Sequence, residues 1–213
     1  MKTNRANMID AIKKADNIPG WMHVHELEFL HKVFLTSIFG WVAEIGSYQG
    51  RSTMAIAEAL ATHGGQLISI DHHGGGPEHQ PGGTHFDPKT YDAHIQHVNT
   101  WPLFLENIAK YSNVLPFLGT SENALIFIKA NSHKVKGWPF FDAVFIDGGH
   151  KYDDVKFDIV NWGELTGMII VHDYEPGPGD RGWIGVYRAV QEQLELGWKI
   201  TTGCGTLVVL ERK

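Results

Sequence analysis

The chain has 213 residues, 43% of them hydrophobic, and a formal charge of −6, so it can bury a full core as one domain over 1–213. The acidic balance excludes a general nucleic-acid surface, which needs clustered Lys and Arg, and no apolar run reaches the ~18 residues of a membrane-spanning helix. Cys204 is the only cysteine, which excludes an intrachain disulfide, and the polar start over 1–7 lacks the apolar core of a signal peptide, so a cytoplasmic location is expected.

Residues 8–15 and 25–36 have helical spacing and are expected as helices over a sheet, in an N-terminal segment 1–39. The stretch 41–53, WVAEIGSYQGRST, reads as a buried strand, a tight glycine turn and a helix start. Gly46 and Gly50 let backbone approach a ligand, and Ser52 is expected to cap the helix. Amides at that helix start favour a carboxylate or phosphate. The Gly-x-x-x-Gly spacing, with Glu44 two residues before the first glycine, differs from the Gly-x-Gly-x-x-Gly of dinucleotide binders. Glu44 repels a pyrophosphate but suits an ammonium, so an amino-acid-like cofactor such as S-adenosylmethionine fits better than NAD.

Further apolar runs at 66–70, 114–118, 141–146 and 168–171 are expected as strands buried on both faces. They alternate with helical spacing at 52–61, 102–111, 121–130 and 152–162, which implies right-handed crossovers and a doubly wound, Rossmann-like α/β fold. A helix over 183–196 and an antiparallel hairpin from 199–202 and 206–211 complete a mostly parallel seven-stranded sheet with helices on both faces. The insertion 72–99, with His72, His73, His79, His85, His94 and His97, is too long for an ordinary connection and reads as a lid or a solvated surface loop. Its histidine spacings match no closed zinc motif.

In such sheets ligands lie beyond the carboxyl ends of the strands. There, Asp71 is placed to accept from ribose hydroxyls, and Ser121, in Gly119-Thr120-Ser121-Glu122, to cap a helix or edge an adenine. Asp147 and Asp173 follow neighbouring strands, where two carboxylates repel unless a proton or cation lies between them. Oxygen ligands suggest Mg²⁺; His172 either adds a nitrogen ligand, favouring Mn²⁺, Fe²⁺ or Zn²⁺, or points away to a loop. His150, on a glycine-flanked turn, suits a general base, or else caps the next helix, with Lys151 in reserve. Trp21, Trp101, Trp183 and Tyr174 either stack on an acceptor ring or belong to the core.

Taken together, 41–194 resembles the class I S-adenosylmethionine-dependent O-methyltransferases, in the group related to macrocin O-methyltransferase and more distantly to catechol O-methyltransferase. The resemblance implies cofactor contacts from Glu44, Gly46, Ser47, Tyr48, Gly50 and Ser52 around the methionine part. It implies others from Asp71 and its neighbour His72 at the ribose, from Thr120, Ser121 and Glu122 at the adenine edge, and from Asp147. It further implies Asp147, His172 and Asp173 as a metal site and His150 as the base. Catechol-type relatives carry lysine at the place of His150 and two oxygen ligands at the places of His172 and Asp173, and lack the insertion after Asp71. The expected reaction is methyl transfer to a hydroxyl of a sugar or phenolic natural product, assisted by a divalent metal. Other classes consistent with the chain are an NAD(P)-binding oxidoreductase and a non-catalytic cofactor-binding protein; spare apolar surface on the N-terminal helices and tryptophans is compatible with a homodimer.

Overall fold

The computed structural model describes residues 2–131, 140–177 and 183–212, with backbone alone over 2–7. Helices α1 (Lys2–Asp16) and α2 (Val24–Thr36) precede β1 (Trp41–Ile45), α3 (Arg51–Ala61) and β2 (Gln66–Asp71). A small antiparallel pair, β3 (Tyr91–Asp92) and β4 (His97–Val98), lies in the insertion. Then come α4 (Trp101–Ile108), β5 (Val114–Leu118), α5 (Ser121–Asn131), β6 (Ala143–Ile146), α6 (Tyr152–Trp162), β7 (Met168–Val171), α7 (Ile184–Glu195), β8 (Trp198–Cys204) and β9 (Leu207–Arg212).

The main sheet has the order β5-β2-β1-β6-β7-β9-β8. It is parallel from β5 to β7, and β9 runs antiparallel to both β7 and β8. This is the doubly wound sheet with a closing hairpin that the sequence pattern implies. The chain moves outward from β1 to β2 and β5, then returns to build β6 and β7 on the other side of β1. The switch point therefore lies between β1 and β6, where ligands of open α/β sheets bind.

Alternation along the central strands feeds two cores. Val42, Leu67 and Phe145 pack with Leu27, Leu30 and Phe34 of α2, Ile56 and Leu60 of α3 and Phe104 of α4. Ala43, Ile68, Val144 and Ile169 pack on the opposite face with Ile128 of α5, Ile159 and Trp162 of α6 and Val190 of α7. Each fully buried large apolar side chain contributes ~1.5–3 kcal/mol, enough to hold the strand ends in register beneath the site.

Two local expectations change. β5 is an edge strand exposed over much of its length, not buried on both faces; Pro116 in its middle, unable to donate to a ladder, belongs at such an edge. The helix after the glycine turn is capped by Gly50 in the left-handed region, φ 94°, and Ser52 turns its hydroxyl inward to Glu44 instead.

Candidate active site

A cavity of about 1110 Å³ opens at the carboxyl ends of the parallel strands. This lies at the upper end of the ~300–1,000 Å³ usual for a small-ligand site. Of the residues singled out in the sequence, Gly46, Ser47, Tyr48, Ser52, Asp71, His72, Thr120, Ser121, Glu122, Asp147, His150, Lys151, His172 and Asp173 line it, whereas Glu44 and Gly50 do not.

Glu44 is the main correction. It is fully buried and accepts hydrogen bonds from Ser52 Oγ (2.6 Å), Thr53 Oγ1 (2.6 Å) and Ser69 Oγ (2.7 Å). Burial raises its pKa to about 7 against the pull of those hydroxyls. A carboxyl enclosed by its own scaffold does not reach an ammonium in the cavity; it ties β1 to α3 and β2.

Asp71 likewise organises the turn. Its Oδ2 accepts from the amides of Ser47 and Tyr48 (both 2.9 Å) and its Oδ1 from His73 N (2.6 Å). These bonds hold Tyr48 and His73 at positive φ, 49° and 57°. Gly46 has φ 86°, and any Cβ there would run into the Asp147 carbonyl, so only glycine lets β1 and β6 end side by side. Ser47 Oγ is buried on the cavity wall without a hydrogen-bond partner among the described residues, an orphan group that a ligand would satisfy.

At the far end, Thr120 rather than Ser121 caps α5: its Oγ1 accepts from Asn123 N at 3.2 Å. Ser121 donates a short bond to Asp158 and accepts from Trp162 Nε1 at 2.7 Å. Burial pushes Asp158 up to about 7, partly offset by Ser121.

The strand ends of β6 and β7 carry the ionisable cluster. Ligand atoms of Asp147, His172 and Asp173 lie within 4.8 Å of one another, and among the described residues this is the one His, Cys, Asp and Glu group so arranged. Among the described residues, the histidines of the insertion form no such group. His172 Nδ1 is 2.9 Å from Asp147 Oδ1 and 3.4 Å from Asp173 Oδ2, while Nε2 lies 3.5 Å from Oε2 of Glu26 in α2. The ring thus points into the cluster, not toward a loop. Burial disfavours its charged form, but the surrounding carboxylates outweigh burial and raise its pKa. Burial and the Asp173 charge raise Asp147 despite His172, and His150 and His172 overcome burial to hold Asp173 well below the usual carboxylate range. Two acids sharing one site titrate apart in this way. Asp173 also adopts φ 62°, a conformation rare for a non-glycine residue and frequent at functional sites.

His150 does not cap α6; it faces the cavity, with Nε2 3.1 Å from Asp173 Oδ2 and its ring stacked on Trp183 at 4.0 Å and 13°. Burial alone would lower its pKa, but the bond it donates to Asp173 and that carboxylate's charge reverse this and raise it. The insertion packs over the same side. His79 and His85 meet Trp21 at 5.0 and 5.1 Å, Trp21 meets Tyr48 at 4.9 Å, and Glu78 Oε1 lies 3.9 Å from His150 Nδ1. Trp21 and Trp183 therefore wall the cavity, whereas Tyr174 stacks on Tyr187 and Trp101 on Phe104, away from it. Glu26, Glu78 and Asp158 escaped the sequence reading because the partners that bring them to the site, His172, His150 and Ser121, are distant in the chain.

The sequence profile described as Methyltransferase domain, Methyltransf_24, matches residues 43–174, more than half of the chain. Among solved structures, the O-methyltransferase TomG from Streptomyces achromogenes, involved in tomaymycin synthesis and in complex with SAM, is 16% identical. The alignment covers 97% of this chain and 89% of that one, with a TM-score of 0.61. An O-methyltransferase from Bacillus cereus in complex with SAH is 17% identical over 98% of this chain and 91% of that one, TM-score 0.62. CalS11, a calicheamicin methyltransferase, is 12% identical over 99% and 93%, TM-score 0.57. These likenesses are of fold, while the profile match decides membership: the chain belongs to the Methyltransf_24 methyltransferase-domain family.

Proposed function

We propose that this methyltransferase moves a methyl group from S-adenosylmethionine to a hydroxyl of a small molecule, with a divalent cation held by Asp147, His172 and Asp173. The observation that carries this reading is the convergence of those three residues with His150 on one wall of the cavity that begins at the Gly46 turn. Ser47 with its unpartnered hydroxyl, Tyr48, Asp71, His72, Thr120, Ser121 and Glu122 would surround the cofactor from methionine to adenine. Glu44 and Gly50 support that turn from outside the cavity.

When bound, the cation would stabilise the acceptor oxygen as its proton leaves. His150 is the group that takes this proton. The acceptor oxygen forms its bond to the methyl carbon as the carbon–sulfur bond breaks, leaving the thioether and a protonated His150. Asp173 orients the imidazole, Trp183 fixes its plane, and the insertion 72–99 closes over the site as a lid. Most of the rate comes from positioning. The mixed oxygen and nitrogen donor set suits Mg²⁺ less than Mn²⁺, Fe²⁺ or Zn²⁺. The names of two structural relatives connect them with tomaymycin and calicheamicin, and a sugar or phenolic hydroxyl of a natural product is the acceptor class we assign here.

Calorimetry with S-adenosylhomocysteine and with NADH, followed by a screen of hydroxylated acceptors with labelled S-adenosylmethionine, tests the proposal. Binding of the first and methylation of a hydroxyl are expected. Binding of NADH alone replaces the reading with an oxidoreductase, and binding without turnover on any acceptor replaces it with a non-catalytic binding protein.

A further inference from the structure

The Glu26 carboxylate lies in α2, outside the matched segment 43–174, and is almost fully buried. One oxygen is committed to the β8–β9 turn: Oε1 accepts from Thr206 N at 2.7 Å and Thr206 Oγ1 at 2.9 Å. The other, Oε2, accepts from His23 N at 2.9 Å, which caps α2, and faces His172 Nε2 at 3.5 Å. Capping and turn anchoring together account for three donors. They do not account for the approach of a buried carboxylate to the outer nitrogen of a histidine whose inner nitrogen meets two further carboxylates.

We infer that Glu26 is a positioning residue for the cation site: it holds His172 as the Nε2–H tautomer, so that the Nδ1 lone pair is presented beside Asp147 and Asp173. The inference rests on the cation reading above. The two sides of the ring differ in what they can satisfy. On the outer side, Nε2 faces a single carboxylate oxygen, at 3.5 Å, which one N–H would satisfy. On the inner side, Nδ1 lies 2.9 Å from Asp147 and 3.4 Å from Asp173, and a single N–H there could serve only one of the two acids. A cation held there would serve both acids and the nitrogen lone pair at once. A carboxylate on the far nitrogen of a ligating histidine is the usual means of fixing ring and tautomer, and removing such a partner weakens metal binding ~10–100-fold. Through Thr206 the same residue links the N-terminal helix and the hairpin turn to the cluster, so the cation site depends on elements at both ends of the chain.

The test is titration of the full chain with Mn²⁺ alone, with S-adenosylhomocysteine affinity measured in parallel on each variant. Glu26→Gln is expected to weaken Mn²⁺ binding at least ~10-fold and to leave S-adenosylhomocysteine affinity within ~threefold. Thr206→Val, which removes a donor to Oε1 but leaves the Oε2 side intact, is expected to keep Mn²⁺ affinity within ~threefold, as a purely scaffolding role would not allow. In a His172→Ala background, Glu26→Gln is expected to add nothing further. Should Glu26→Gln not fold, two-bond ¹H–¹⁵N spectra of the Zn²⁺-loaded wild type read the tautomer directly: an Nε2-protonated His172 supports the assignment and an Nδ1-protonated one overturns it. Unchanged Mn²⁺ affinity in Glu26→Gln with a loss in His172→Ala overturns the role of Glu26 alone. A wild-type chain that binds no Mn²⁺ overturns the cation reading and this inference with it.

Discussion

Glu44→Gln separates a scaffold acid from a ligand acid. Glu44 has an ordinary value of 4.5 that burial raises to about 7, with three hydroxyls pulling the other way. A carboxyl raised in the folded state keeps its proton there after the unfolded chain has released it. Its effect on stability is therefore nil below about pH 4.5, becomes increasingly unfavourable as pH rises to about 7, and is constant above that. At ~1.4 kcal/mol for each pH unit between those values, wild type loses ~3 kcal/mol of stability relative to a chain with no titrating group there.

Glutamine is the neutral isostere, and the Ser52, Thr53 and Ser69 hydroxyls can turn from donating to accepting to match its amide. Urea unfolding of both proteins from pH 4.5 to 8 is the assay. Other groups titrate in both chains and largely cancel in the difference. The stability of Glu44→Gln minus that of wild type is expected to climb by ~3 kcal/mol over this range, while S-adenosylhomocysteine affinity stays within ~threefold. A difference flat to within ~0.5 kcal/mol, together with a tenfold or greater loss of affinity, ~1.4 kcal/mol, would refute the scaffold role and return Glu44 to the ligand.

His150→Ala is expected to lower turnover by ~10² or more with S-adenosylhomocysteine affinity nearly unchanged, the pattern of a lost base; normal single-turnover rates in that variant reject the assignment. Asp147→Asn and Asp173→Asn are each expected to blunt the dependence of rate on added divalent ion, and excess chelator to stop wild type; full activity in chelator would show that the pair needs no cation. Gly46→Ala, at φ 86° and against the Asp147 carbonyl, is expected to cost ~2 kcal/mol or more in urea unfolding, and an unchanged midpoint would contradict the close approach of β1 and β6.

What could be read from the chain was what local pattern determines. Continuous apolar runs specified the parallel strands, and the position just after each run put Asp71, Asp147, His172 and Asp173 at the strand ends. The closing hairpin followed from the glycines around Cys204. Local pattern failed where a side chain's partner lies elsewhere in the chain. Ser52 looked like a cap because caps are serines at helix starts, but Glu44 eight residues earlier claims its hydroxyl in the fold. Ser121 lost the capping role to Thr120 because Asp158 and Trp162 claim it from a later helix. The strand 114–118 looked as apolar as its neighbours, yet edge position is a property of sheet order, which apolarity does not encode.

The two histidines of the cluster show why residue type alone could not divide the labour there. His172 and His150 both border Asp173, and each is a reasonable ligand or base by composition. Their second partners distinguish them. His172 is nearly buried and has carboxylates against both nitrogens; a ring so enclosed has no nitrogen left for a substrate proton, and its fixed orientation suits holding an ion. His150 is about one-fifth exposed to the cavity, with one nitrogen bonded to Asp173 and the other 3.9 Å from the Glu78 carboxylate of the insertion, beyond hydrogen-bond reach. Its stacking on Trp183 fixes the ring plane while leaving an edge toward the cavity. A ring held in plane but not saturated can exchange a proton. The roles proposed for them, ligand for one and base for the other, rest on how many of each ring's nitrogens the fold has already committed.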